Sequence, residues 1–440
     1  MTINEKELFT TEQPAEGRAA LVGIINRESP EEVAERSLDE LARLLDTAGG
    51  ETVVRMLQAK ETPDVRTYIG SGKVEELAEL CKTNEIDLGV FDTELTPSQI
   101  RNLEDGLDGR RVIDRSMLIL DIFALHAKTG EGKLQVELAQ LKYTAPRLTG
   151  KGTELSRLGG GIGTRGPGES QLERDRRHLK RRVEALEDAL DELERNRRTM
   201  RAARERSGIA KIAIVGYTNA GKSTLLNRLT DAGILAEDKL FATLDPTTRK
   251  FALPSGESVL LTDTVGFIRR LPHHLIKAFR STLDEAVCAD ILLILLDASD
   301  PECSEQLVVT EQILRDLGAA GKPTLYVFNK CDREAAVPLR LPADCRDHVA
   351  CRISAKTGEG VDELVAELER IVNAGRRRLT FLIPNAEAGA LNQLYQNAVV
   401  ESVDYGAEHI TAVAVADAKT VGMLRRYLGE DYGQDETEDE

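Results

Sequence analysis

The sequence predicts an α/β protein of several domains, because short apolar runs with the length of strands alternate with helix-like stretches along most of the chain. A complete glycine-rich phosphate loop at residues 216–223 follows one such run and opens a helix. A leucine-rich stretch with coiled-coil spacing separates the first apolar runs from this loop. The predicted architecture is a P-loop domain with an N-terminal α/β domain, a long antiparallel helical hairpin and a small C-terminal α/β module.

Residues 1–115 form the predicted N-terminal α/β domain. Its strands are short apolar runs that alternate with amphipathic, helix-like segments, which predicts a mostly parallel sheet. The strand-like runs are 19–25, 51–57, 86–91 and 111–113, and the helix-like segments are 33–46, 72–84 and 96–106.

Residues 116–207 form the predicted helical hairpin. Residues 116–141 predict one long helix, and a capping-box pattern at Ser170–Glu173 begins the second. The second helix carries a coiled-coil seam of Leu172, Leu179, Val183, Leu186, Leu190 and Leu193. The glycine-rich stretch at 146–168 is the predicted tip loop of the hairpin.

A basic run adjoins this tip. Residues 174–182 hold six bases against one acid, which is compatible with a solvated helix face or with contacts to RNA phosphates. The neighbouring loop adds four more bases, which favours RNA because a glycine-rich loop follows a nucleic-acid backbone closely. These four are Arg147, Lys151, Arg157 and Arg165.

The phosphate loop follows the apolar run 209–215, as the motif requires. Its backbone N–H groups converge on phosphate oxygens, and the helix N-terminus adds favourable partial charge. Lys222 would reach the β- and γ-phosphates, and the Ser223 hydroxyl would bind Mg²⁺. The sequence therefore predicts a nucleoside triphosphate site at Gly216, Tyr217, Thr218, Asn219, Ala220, Gly221, Lys222, Ser223 and Thr224.

Three downstream motifs exclude a chance glycine-rich turn and select the base. Asp263, in Asp263-Thr264-Val265-Gly266, would hold the metal through water, and the Gly266 amide would sense the γ-phosphate. Asp332, in Asn329-Lys330-Cys331-Asp332, can accept from both N–H groups on the edge of guanine, which adenine lacks. Ser354-Ala355-Lys356 would lie behind the base. Each motif follows a predicted strand, so residues 208–373 form the predicted P-loop GTPase domain.

The switch residues are less well defined by the sequence. Thr243, Thr247 and Thr248 all lie where one threonine should close over Mg²⁺ and the γ-phosphate. Phe267 follows Gly266 at a position where many GTPases have a glutamine that orients the attacking water. Intrinsic hydrolysis should therefore be slow, and the missing group must come from a partner, a monovalent cation such as K⁺, or another residue. Asn219 is a candidate cation ligand or, equally, a turn-stabilising asparagine.

These motifs resemble those of HflX-type GTPases, in the translation-factor-related group that includes the Obg-like proteins. Matching stretches are 68–73, 160–169, 216–223, 241–246, 263–268 and 329–332, and the resemblance covers about residues 18–425. It implies a nucleotide-contacting segment at Phe241, Ala242, Thr243, Leu244 and Asp245, with Thr243 as the switch threonine and second metal ligand. Lys222, Thr243 and Gly266 would be the catalytic residues. Phe267 belongs to the family pattern.

The resemblance implies a cytoplasmic, bacterial-type GTPase that binds the large ribosomal subunit and its rRNA and splits or rescues stalled ribosomes. Two other functions stay open. One is an RNA-remodelling or rRNA-maturation protein that works through its N-terminal domain with ATP. Gly70–Lys73 would be its nucleotide loop, although Thr67 and Val74 depart from a Walker loop and a turn presenting Lys73 to RNA fits as well. The other is a GTP-loaded anti-association factor.

Composition excludes several classes. No apolar stretch approaches the roughly 18–20 residues of a membrane span, and the N-terminus is too acidic for a signal peptide. A net charge of −17 argues against indiscriminate nucleic-acid binding, so no DNA partner is expected. We expect a cytoplasmic monomer. Residues 374–427 predict the C-terminal α/β module, with strands at 379–383, 401–405 and 409–415 and helices at 387–399 and 419–427, and residues 428–440 predict a disordered acidic tail.

Overall fold

A computed structural model describes residues 17–146, 171–205, 209–230, 240–241, 246–269, 272, 275, 280–335, 349–374 and 376–429. The chain forms two compact units. The first takes the described residues up to Glu194 together with those of 235–246 and 265–283, and the second takes the remainder. The predicted tip loop and acidic tail lie outside the described residues, apart from Pro146 and Leu428–Gly429 at their edges.

The first unit contains a four-stranded sheet in the order β2-β1-β3-β4. The strands are β1 (Arg18–Ile25), β2 (Glu51–Ala59), β3 (Leu88–Phe91) and β4 (Arg111–Asp114), and all three pairings are parallel. The connecting helices are α1 (Glu31–Thr47), α2 (Ser71–Thr83) and α3 (Pro97–Gly106). Buried faces of these helices cover the sheet, as crossover connections between parallel strands require.

The prediction of one long helix over 116–141 is wrong. The structure has two helices there, α4 (Arg115–His126) and α5 (Gly130–Thr144). Ala127 is extended, with ψ of 106°, and Thr129 caps the second helix by accepting a hydrogen bond from the Gly132 amide at 2.9 Å. A threonine in this position favours a new N-terminus over a continuous helix because its hydroxyl satisfies an otherwise unpaired amide.

Helix α5 packs on the first part of α6 (Gln171–Glu205) through the predicted leucine seam. Leu138 and Leu141 are buried with Leu179 and Leu186. Arg182 on α6 makes a bidentate pair with Glu137 on α5, at 2.7 and 2.9 Å. The seam predicted from periodicity therefore pairs these two helices, although the first is shorter than expected.

The second unit contains a six-stranded sheet in the order β10-β9-β8-β5-β7-β6. Only β6 is antiparallel to its neighbour. Its strands are β5 (Lys211–Gly216), β6 (Thr247–Ala252), β7 (Ser258–Asp263), β8 (Ile291–Asp297), β9 (Thr324–Asn329) and β10 (Ala350–Arg352). The helices are α7 (Lys222–Thr230), α8 (Arg280–Cys288), which begins in the first unit, α9 (Cys303–Asp316) and α10 (Val361–Asn373).

The C-terminal module also belongs to the second unit. Its antiparallel sheet has the order β11-β13-β12, formed by β11 (Arg376–Pro384), β12 (Val399–Tyr405) and β13 (His409–Asp417). Helices α11 (Gly389–Asn397) and α12 (Ala418–Met423) cover one face. The predicted helix 419–427 is thus a shorter α-helix followed by a 3₁₀ turn at Arg425–Tyr427. Over the described ranges, none of the helices has both the length and the apolar character that membrane crossing demands.

Candidate nucleotide-binding site

The phosphate loop connects the end of β5 to the start of α7. Gly216 and Gly221 have φ of +148° and +98°, which favours glycine. A Cβ on Gly216 would lie 2.2 Å from the Leu295 carbonyl oxygen, and one on Gly221 would lie 2.3 Å from Nδ2 of Asn329. Only glycine therefore allows this loop to lie against β8 and against Asn329 of the predicted base-recognition motif.

Lys222 is buried at the base of the loop. Its Nζ donates to the carbonyl oxygens of Gly216 and Tyr217, at 3.2 and 2.9 Å. Burial lowers the pKa of Lys222 to about 8, against the opposing effect of the Asp263 charge. The buried Oγ1 of Thr218 has no hydrogen-bond partner among the described residues. A buried ammonium and an unpaired hydroxyl in one loop fit a phosphate chain, whose oxygens accept from both.

Ser223 and Asp263 lie together. The Ser223 hydroxyl donates to Oδ2 of Asp263 at 2.7 Å, and Asp263 is fully buried at the end of β7. Thr264 donates to the Ile214 carbonyl oxygen at 2.8 Å, which fixes this segment to β5. A hydroxyl and a carboxylate are oxygen ligands of the kind that Mg²⁺ prefers, so the pair fits the predicted metal position.

The switch segment is only partly within the described residues. Ala242, Thr243, Leu244 and Asp245 lie outside them, so the placement of Thr243 as catalytic residue and metal ligand stays a prediction. Thr248, one of its competitors, pairs its hydroxyl with that of Thr262 at 2.9 Å between β6 and β7.

Asn329 joins three of the predicted motifs. Its Nδ2 donates to the Ala220 carbonyl oxygen in the phosphate loop, and its Oδ1 accepts from the Ala355 amide, both at 2.8 Å. Asn329 is buried at the end of β9. The structure therefore brings the phosphate loop, the Asn-Lys-Cys-Asp motif and the Ser-Ala-Lys loop to one edge of the sheet.

Asp332, the predicted base-recognition carboxylate, is exposed beside this junction. Oδ1 of Asp332 accepts from the Ser354 hydroxyl at 2.7 Å. That hydrogen bond lowers the pKa of Asp332 below its usual value, so the carboxylate is ionised and is an acceptor only. Lys356, the last residue of the Ser-Ala-Lys loop, follows the buried Ala355.

Asp297 is a site residue that sequence reasoning missed. It ends β8, and its Oδ2 lies 2.7 Å from Nζ of Lys330, with both side chains largely buried. Its Oδ1 accepts from the amide and hydroxyl of Ser299. The pair orients Lys330, whose φ of +65° is rare outside glycine. The available signal was a single acid directly after the apolar run 291–296.

Gly266 lies in the part of the chain that packs with the first unit. Its neighbours Val265 and Phe267 are buried, with Phe267 only 1% exposed. Phe241 packs edge-to-face on Phe123, with ring centroids 4.8 Å apart. A buried phenyl ring at position 267 contributes no group that could orient water.

Comparison with known proteins identifies the family. Family models described as GTP-binding GTPase N-terminal, GTP-binding GTPase Middle Region and 50S ribosome-binding GTPase match residues 35–124, 126–204 and 211–330. These matches confirm the predicted α/β class with a P-loop GTPase domain. A solved GTP-binding protein from the archaeon Sulfolobus solfataricus, in complex with GDP, is 26% identical, covering 81% of this chain and 99% of its own, with a TM-score of 0.43.

Two bacterial relatives are more similar in sequence. A GTPase HflX from Lacrimispora saccharolytica is 50% identical over 410 residues, which are 93% of this chain and 96% of the relative. One from Caldanaerobacter subterraneus subsp. tengcongensis is 48% identical over 411 residues, covering 93% of this chain and 94% of the relative. Identity at this level over nearly the whole length confirms the resemblance inferred from the motifs. The chain belongs to the HflX family of GTPases.

Proposed function

We propose that the chain hydrolyses GTP at the junction formed by Asn329 and uses the nucleotide state to control docking on the large ribosomal subunit. The observation that carries the catalytic part is the buried amide of Asn329, which joins the phosphate loop to both base-recognition loops. An interaction with phosphates at Ala220 and one with guanine at Asp332 are thereby held in a fixed relation. Fixed loops matter for the reaction because catalysis of phosphoryl transfer comes mainly from positioning and from preorganised electrostatic stabilisation.

Each site residue has a role in this proposal. Lys222 and the loop amides bind the β- and γ-phosphates, and the Gly266 amide binds the γ-phosphate. Asp332 selects guanine, and Lys330, two residues before it in the same motif, is held by Asp297. Ser223 and Asp263, together with Thr243, would hold Mg²⁺, which neutralises charge on the phosphate oxygens when bound.

The buried ring of Phe267 supports slow intrinsic hydrolysis. A group that orients water must then come from outside position 267. Asn219, with φ of +61° inside the phosphate loop, is our candidate ligand for a K⁺ ion in this role. Comparison of turnover in K⁺ and Na⁺ salts of equal ionic strength tests it, and equal rates would exclude the cation.

Ribosome binding is supported by the family model matched at 211–330, whose description is 50S ribosome-binding GTPase. We propose the large subunit and its rRNA as the partner, with a cytoplasmic monomer as the acting form. The basic part of α6 supports an RNA contact, because Arg176, Lys180 and Arg181 are exposed. Arg182 differs, since its pair with Glu137 holds the two helices together.

We further propose that docking splits or rescues stalled ribosomes through the predicted tip loop at 146–168. The decisive experiment measures GTP turnover with and without large subunits, together with sucrose-gradient profiles of intact ribosomes in GTP, GDP or a non-hydrolysable analogue. We expect a strong increase in turnover and a GTP-dependent loss of intact ribosomes. A turnover ratio near one would favour the RNA-maturation alternative, in which the N-terminal domain acts, with ATP bound near Gly70–Lys73.

A further inference from the structure

Arg115 is a buried charge that the proposed reaction does not explain. It begins α4 and is 2% exposed. Its Nη1 donates to Oδ1 of Asp92 at 2.7 Å, and its Nη2 donates to Oε2 of Glu40 at 2.8 Å. A buried ion triad is weak evidence for stability alone, because apolar residues of similar volume usually serve as well. Its presence therefore calls for another role.

The same guanidinium contacts the segment that follows Gly266. Nη2 of Arg115 also donates to the main-chain carbonyl oxygen of Arg269, at 3.2 Å. Arg269 is three residues beyond Gly266, whose amide is the proposed γ-phosphate contact. Between them, Phe267 and Ile268 are 1% and 0% exposed. The segment is thus held by a charge-assisted hydrogen bond and by two fully buried side chains.

The position of this contact in the sheet is also informative. Asp92 follows β3 directly. In the strand order β2-β1-β3-β4 the chain adds β2 on one side of β1 and then β3 on the other, so the order of connection switches between β1 and β3. Open parallel sheets bind their ligands outside the carboxyl ends of the strands at such a reversal. At this edge, the guanidinium of Arg115, paired with Asp92, donates to the main-chain carbonyl oxygen of Arg269 instead of to a ligand.

The segment that leads to Thr243, the predicted switch threonine, also packs within the first unit. Phe241 packs on Phe123 of α4, and the Leu240 amide donates to Oγ1 of Thr47 at the end of α1, at 3.3 Å. Leu240 and Phe241 precede Thr243, and both are buried. The described neighbours of both predicted γ-phosphate contacts therefore belong to the compact unit of the N-terminal sheet.

We propose that Arg115, held by Glu40 and Asp92, is a positioning residue that orders the 265–269 segment before nucleotide arrives. Through it the N-terminal domain sets the conformation of the segment that carries Gly266. This inference rests on the proposed GTPase function. GTP and its analogues should be affected by Arg115, and GDP should not, because GDP lacks the group that Gly266 contacts. In such an arrangement a bound partner of the N-terminal domain can alter GTP affinity without touching the nucleotide.

The test uses the full-length chain with Arg115→Met. We expect GDP affinity within twofold of wild type, roughly tenfold weaker binding of a non-hydrolysable GTP analogue, and roughly tenfold lower kcat, as for the loss of one charged hydrogen bond. Amide hydrogen exchange at 265–269 without nucleotide should increase. Arg111→Met is the matched control, because it also removes a cation paired with a buried carboxylate of the same domain, that of Asp121 at 3.8 Å.

Arg115→Met removes the guanidinium that pairs with two buried carboxylates, so its melting temperature is measured first. If it is unfolded at the assay temperature, the triple variant Glu40→Gln, Asp92→Asn, Arg115→Met replaces it, with the same expected results. An unchanged ratio of analogue to GDP affinity in a folded variant would overturn the inference. If wild type binds no GTP, the proposed function fails instead, and hydrogen exchange still tests whether Arg115 orders the segment.

Discussion

Replacement of Asn329 by alanine tests the junction on which the nucleotide site depends. The wild-type amide makes two hydrogen bonds of 2.8 Å, to the Ala220 carbonyl oxygen and from the Ala355 amide. Ala220 and Ala355 are 1% and 4% exposed, so water does not reach their main-chain groups freely. Asn329→Ala therefore leaves one buried acceptor and one buried donor unpaired.

The magnitude follows from these two groups. An unpaired buried polar group costs about 1–3 kcal/mol, which gives about 2–6 kcal/mol for the pair. A water molecule in the space left by the amide can satisfy one of the two groups, so we expect the lower part of this range, about 2–4 kcal/mol. If the whole of this free energy is lost from nucleotide binding because the loops are misaligned, the dissociation constant for GDP rises roughly 30-fold to 1,000-fold.

Titration with a fluorescent GDP analogue measures this change, and thermal melting of the nucleotide-free protein measures the part of the cost that falls on folding. Asn385→Ala is the matched control, because that amide also donates to two carbonyl oxygens, those of Gly406 and Ala407, but is exposed in the C-terminal module. The control should bind GDP like wild type. A GDP affinity of Asn329→Ala within threefold of wild type, with an unchanged melting temperature, would refute the reasoning.

Three further predictions concern base, charge and RNA. Asp332→Asn should weaken GTP binding and shift preference towards xanthine nucleotides in competition titrations, and unchanged GTP affinity would remove its assigned role. The pKa of Lys222 is lowered from 10.5 to about 8 in the folded protein, so between these pH values the unfolded chain binds more protons than the folded one. The contribution of Lys222 to the free energy of unfolding of the nucleotide-free protein therefore increases as pH rises from 8 to 10.5. Phosphates favour the charged form, so nucleotide binding at pH 8 should take up roughly half a proton from Lys222, which calorimetry in buffers of different ionisation enthalpy detects. Arg176→Gln with Arg181→Gln should weaken large-subunit binding and reduce the slope of log affinity against log salt by about 1–2, whereas Arg182→Gln should also destabilise the α5–α6 pair.

Much of the second unit could be predicted from sequence because its signals are local. A phosphate loop needs glycines at fixed spacing, and the motifs that follow strands need only the strand and the next few residues. The break between α4 and α5 was missed although its signal is local: Thr129, Gly130 and Gly132 all have low helix propensity, and Thr129 caps the new start at Gly132. Asp297 was missed because its ion-pair partner, Lys330, follows the next strand of the sheet and is remote from it in sequence.

The sequence by itself determined the fold class, the phosphate loop, the preference for guanine and the family. Tertiary structure decided which distant groups meet: Asn329 with Ala220 and Ala355, Asp297 with Lys330, and Arg115 with Arg269. The physical reason is the sequence separation over which each kind of interaction acts. Backbone preferences and hydrophobic periodicity act over a few residues, whereas Arg115 and Arg269 are 154 positions apart and meet only once a sheet, two helices and a buried segment have packed.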